Sequence, residues 1–136
     1  MKFLAAPLVL MAVLAPFALR AQSDEPVATN ASEASIEQEL RETLRKAFDQ
    51  RLAEFKSGRS GPIGAIRLNT QLYEAQISTV SADQRRATSG QYVARAKQIE
   101  DVANDHLKNG TGTSTDVLEA KASRLKAMLE LPKFQN

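Results

Sequence analysis

From Ser35 to near the C-terminus, apolar side chains return every third or fourth position, with charged and amide side chains between them. That period follows one face of an α-helix, whereas a half-buried strand alternates every second residue. Ile36, Leu40, Leu44, Ala47, Phe48 and Phe55 predict an amphipathic helix from Ser35 to about Lys56. Ile63, Ile66, Leu68, Leu72, Tyr73 and Ile77 predict a second over about 62–80. Tyr92, Ala96, Ile99, Ala103 and Leu107 predict a third over about 83–108. Val117, Leu118, Ala122, Leu125, Met128 and Leu129 predict a fourth, stopped by Pro132.

The breaks between these runs are chemically explicit. Ser57-Gly58-Arg59-Ser60-Gly61-Pro62 offers glycine for a left-handed helix end, then a proline suited to the first turn of the next helix. Ser81-Ala82-Asp83-Gln84 has the form of a capping box. Gly110 is placed to end the third helix, Thr113 to cap the fourth, and Asp116 to favour the positive end of its first turn. Gly58, Pro62, Gly110, Thr113 and Asp116 are therefore expected to act as turn and cap residues.

The expected fold is all-α. Two long antiparallel helical hairpins, 35–80 and 83–131, would form a four-helix bundle or a coiled-coil-like oligomer, with residues 132–136 as a tail. The stripes Ile36/Leu40/Leu44/Phe48 and Leu118/Leu125/Leu129 are expected to carry packing and assembly. The two halves also look alike. Phe55-Lys56-Ser57-Gly58 aligns with Leu107-Lys108-Asn109-Gly110 at an offset of 52, which also pairs Ala65-Ile66 with Val117-Leu118 and Tyr73 with Leu125. An internal duplication of a helix, glycine-turn, helix unit explains this spacing, as does chance between two amphipathic hairpins.

The N-terminus has a different grammar. Lys2 precedes an uncharged apolar run from Phe3 to Leu19, and Arg20-Ala21-Gln22-Ser23 follows. This is the pattern of a secretory signal peptide over residues 1–21, with cleavage after Ala21. A retained anchor is the alternative, although Pro7 and Pro16 interrupt the run. Residues 22–34 are small, polar and without period, and read as a flexible linker. Processing would change the charge. The 18 basic residues, less Lys2 and Arg20, leave 16 against 16 acidic ones, so no excess remains to displace counterions from nucleic acid. The chain has no cysteine, so stability must come from apolar packing or association.

Chemistry-bearing constellations are sparse. His106 is the only histidine, and with Asp101 and Asp105 nearby it reads as a helix-flank residue rather than a metal ligand, since ligation needs several converging donors. Glu100 and Asp101 are adjacent and splay apart on a helix. No phosphate-cradling glycine loop ends in lysine. No catalytic, cofactor-binding or metal-binding residue is expected, and no cofactor.

One segment carries a resemblance. Gly110, Thr111, Thr113, Asp116, Val117, Leu118 and Ala120 match the Gly-Thr-x-Thr-x-x-Asp-Val-Leu-x-Ala pattern of the TolC-type outer-membrane efflux family, and the chain around them resembles that family's periplasmic helical part. Gly58 and Ile66 form a looser copy. No stretch of roughly 9–11 alternating residues with aromatic girdles accompanies them, so the resemblance implies the helical element without the barrel. It implies a non-enzymatic structural or interaction component of the cell envelope, in the periplasm or at the outer membrane, in the setting of efflux. Partners would be other proteins or further copies held through apolar helix faces, with no nucleic acid. Membrane contact would come only through a retained N-terminal segment or an envelope complex. The alternative function is a soluble periplasmic chaperone or stress-binding helical module.

Overall fold

Lys56 and Lys108 each end a helix, and each is followed two residues later by a glycine. Gly58 and Gly110 have φ of 73° and 71°, a region that costs a side-chain-bearing residue energy and glycine almost none. The hydrogen bonds around them follow one scheme. Gly58 N–H donates to Phe55 O and Arg59 N–H to Glu54 O, and Gly110 N–H donates to Leu107 O and Thr111 N–H to His106 O. Both are Schellman terminations, which satisfy carbonyls that the helix leaves without partners.

The structure, a computed structural model, describes residues 26–134. It is all-helical: α1 (Pro26–Lys56), α2 (Ile63–Ile77), α3 (Ala82–Lys108), α4 (Ser114–Met128) and a short 3₁₀ turn, Leu131–Phe134. No strand occurs among the described residues. Residues 1–25, which hold the signal-like segment and the start of the expected linker, and residues 135–136 lie outside the described residues.

Three boundaries differ from expectation. Residues 26–34, expected as linker, belong to α1. Their composition allows it, since proline suits a helix start and Ala28, Ala31 and Ala34 are strong helix formers. At the other end α4 stops at Met128, and Pro132 lies inside the 3₁₀ turn that follows. Ser81 occupies the N-cap of α3 but makes no side-chain capping bond, so the expected capping box is absent there.

Contacts run α1 to α2, α2 to α3 and α3 to α4. Arg41 donates to Thr79 Oγ1 at 3.1 Å, while Arg51 lies against Gly64. The middle of α1 thus lies beside the residues that follow α2, and its later part beside the start of α2, so the two run in opposite directions. Arg124 of α4 pairs with Glu100 of α3. His106 Nε2 lies 3.3 Å from Lys56 O, which brings both glycine turns to the same end of the molecule. α1 and α4, however, approach nowhere within 8 Å, Cα to Cα, among the described residues. The assembly is open: α2 and α3 lie in the middle, α1 rests on α2 and α4 on α3.

Burial divides into two clusters. Near the glycine turns, Phe48, Leu52, Phe55, Ala65, Ile99, Ala103 and Ala120 pack together. Towards the other end, Tyr73, Tyr92, Ala96 and Ala127 form the second. Alanine at 96, 103, 120 and 127 is fully buried, and side chains this small let neighbouring helix axes approach closely.

Candidate functional site

Helix length decides what α2 can cover. α1 has 31 residues and α2 has 15, about 46 Å against about 22 Å at 1.5 Å per residue. The end of α2 is reached near Arg41, and residues 32–40 of α1 are all exposed. Ile36 is 62% exposed and Leu40 50%. Leu44 is half-buried and Phe48 is buried in the core. The α1 stripe therefore changes role along its length, from uncovered to packed. Leu40 and Leu44 also line a groove of about 420 Å³ with Gln71, Glu74 and Ala75 of α2.

α4 presents a sharper disagreement with its sequence pattern. Leu118, Leu125 and Leu129 are 65%, 47% and 70% exposed. The face that packs on α3 is built from Ala120, Ser123 and Ala127. Ala120 packs in one cluster with Ile99 and Ala103, and Ala127 in the other with Ala96, and the helices close without the leucines. A leucine-bearing face on α4 is consequently left over, on the side of the helix away from Ala120, Ser123 and Ala127.

The cap residues sit at the turn end. Asp116 N–H donates to Thr113 Oγ1 at 3.1 Å, and Thr113 N–H donates to Asp116 Oδ2 at 2.9 Å. This reciprocal pair satisfies two helix-end donors at once. Pro62 is buried at the N-cap of α2, with φ of −71° and no N–H to leave unpaired. Gly112 lies so close to α3 that a Cβ there would come 2.7 Å from His106 Cβ. His106 packs edge-on against Phe55, ring centres 5.0 Å apart. Its role is to join the two turns, which a reading of it as a flank residue did not reveal.

A polar layer that periodicity did not reveal lies between α2 and α3. Asn69 is fully buried; its Nδ2 donates to Tyr92 O at 3.2 Å, and its Oδ1 accepts from Arg95 Nε at 2.6 Å. Arg95 Nη2 donates to Gln76 Oε1 at 3.3 Å. Tyr73 and Tyr92 stack with ring centres 4.3 Å apart, and Tyr73 OH bonds Ser89 Oγ at 3.3 Å. Burial pushes the Arg95 guanidinium below its ordinary pKa and Arg45 pushes it the same way, while Asp49 and Tyr92 oppose them. This layer is structural in form, because its buried donors meet acceptors within the fold. The only available signal was Asn69 and Arg95 recurring at helical spacing among apolar positions.

Among the described residues no group of three or more His, Asp or Glu side chains is arranged to hold a metal ion. No helix among them is long and apolar enough to cross a membrane. The class these observations define is an open four-helix protein whose uncovered features are leucine and isoleucine faces. No protein-family model, curated protein or solved structure significantly matches the chain.

Proposed function

We propose that this chain is a non-enzymatic, exported assembly module of the cell envelope, working through apolar helix faces in the manner of the periplasmic helical hairpins of TolC-type proteins. The observation that carries this reading is the leucine face of α4. Leu118 and Leu129 are 65% and 70% exposed although small residues already close the core beneath them. Grouped apolar side chains in water mark a surface that associates.

The signal-like pattern of residues 1–21 supports export, and the Gly110-to-Ala120 segment supports kinship with the efflux hairpin. In this reading the reciprocal cap at Thr113 and Asp116 fixes where α4 begins, and thereby which of its faces is presented. Two measurements test the proposal. N-terminal sequencing of the protein recovered from the envelope should begin at Gln22. A photo-crosslinking residue at Leu118 or Leu129 should give a discrete protein adduct in intact cells. Intracellular retention of the uncleaved chain, or no adduct at either position, would refute it.

A further inference from the structure

We infer that the projecting half of α1 is covered by α1 of a second copy, laid antiparallel, so that the protein is a two-fold dimer joined through Ile36, Leu40 and Leu44. This deepens the assembly reading by naming one partner, and it concerns a different face from the α4 leucines.

Three observations converge on that occupant. The first is that nine consecutive helical residues, 32–40, are exposed, including Ile36 and Leu40. A solitary helical segment of this length is marginal in water, and packing of an apolar face is what ordinarily holds it. The second is the groove beside it, where Leu40 and Leu44 meet Gln71, Glu74 and Ala75 of α2. It is an apolar seat at the root of the projection, where side chains of an incoming helix can rest.

The third is charge, and it selects a copy of the same helix. Residues 26–40 contain Glu33, Glu37 and Glu39 and no lysine or arginine, whereas Arg41, Arg45 and Lys46 follow within six residues, with Glu42 the one acid among them. A helix that is acidic first and basic next is complementary to itself only when its copy runs the other way. Set antiparallel about Leu40, Ile36 faces Leu44 of the second copy. Glu37 then lies within a turn of both Arg41 and Arg45 of the second copy, on one flank of the seam. A parallel arrangement would set acid beside acid. A two-fold contact of this kind uses the same patch on both chains and closes on itself.

The chain has no cysteine, so single-cysteine variants report on proximity cleanly. Under mild oxidation of the processed full chain, Leu40→Cys should form a disulfide-linked dimer readily. A mixture of Ile36→Cys and Leu44→Cys should link across variants faster than either alone, and Leu118→Cys should link at least tenfold more slowly than Leu40→Cys. Light scattering should give twice the monomer mass for the wild-type chain. Glu37→Lys should weaken association at least tenfold, as should Arg41→Glu with Arg45→Glu, and mixing the two variants should restore it. Circular dichroism on each variant separates lost association from lost folding. A monomer at hundreds of micromolar would overturn the inference, as would a dimer that links through position 118 but not 40, or charge variants that fail to rescue each other. Adducts at Leu118 in cells would survive any of these results, so the two readings fail separately.

Discussion

Thr113 shows how much one side chain contributes at the end of a helix. Its hydroxyl accepts the Asp116 N–H and donates to the Asp116 carboxylate, which also takes the Thr113 N–H, so Thr113→Ala removes both hydroxyl bonds and loosens the third. A lost cap of this kind costs about 1 kcal/mol, which for a domain of this size lowers the melting temperature by about 4–8 °C; calorimetry on the purified variant checks it. Gly112 gives a second residue-level contrast. Gly112→Ala drives a Cβ into His106 and the α3 backbone, whereas at Gly64 the obstructing atoms belong to the Arg51 side chain. Thermal melts should therefore show Gly112→Ala destabilised, and Gly64→Ala neutral or slightly stabilised, because the long arginine can swing aside and alanine is the better helix former.

Among the elements, α1 is the one whose stability varies along its length. Phe48, Leu52 and Phe55 anchor its second half in the core, while residues 32–40 are exposed. Local opening free energy follows local packing. In hydrogen exchange, amides over 46–55 should be protected to the level of global unfolding. Those over 32–40 should exchange early at low protein concentration and slow markedly as concentration rises. Protection of 32–40 that is independent of concentration would mean that nothing intermolecular holds this half. Phe48→Ala should cost about 3–5 kcal/mol, as expected for a large core aromatic, with the loss read from denaturant unfolding.

For the whole molecule, the consequence of the open arrangement is that assembly and folding use different residues. Replacing Leu118, Leu125 and Leu129 together by Ser, Gln and Gln should leave the melting temperature within a few degrees of wild type, because exposed substitutions away from packed features usually have small effects. The same variant should lose its envelope adducts. If instead it unfolds, those leucines are covered by the chain itself.

How much was legible beforehand differs by scale. Four helices, the glycine turns and the cap at Thr113 follow from local pattern, because a 3.6-residue period and a helix terminus are properties of a few adjacent residues. The start of α1 was less legible, since alanine-rich polar residues suit both a linker and a helix. The internal alignment also shifts. The ends of α1 and α3 stand 52 apart, but Ile63 and Ser114, which begin α2 and α4, stand 51 apart. The first connection is one residue longer, and so the sequence pairing of Tyr73 with Leu125 sets a buried residue against an exposed one.

Amino-acid order alone thus determined that the chain is helical and where most of its helices begin and end, since those choices are made by neighbours within a turn or two. Which face each helix buries was decided only in three dimensions. α4 carries both a leucine face and a small-residue face, and close approach to Ala96 and Ala103 selects Ala120, Ser123 and Ala127. Likewise Ile36 and Leu40 match the period of a core stripe, yet α2 covers Leu40 only in part and Ile36 stays largely exposed. Apolar spacing marks a side chain that gains from leaving water; only the lengths and separations of the helices say whether the chain itself provides the cover.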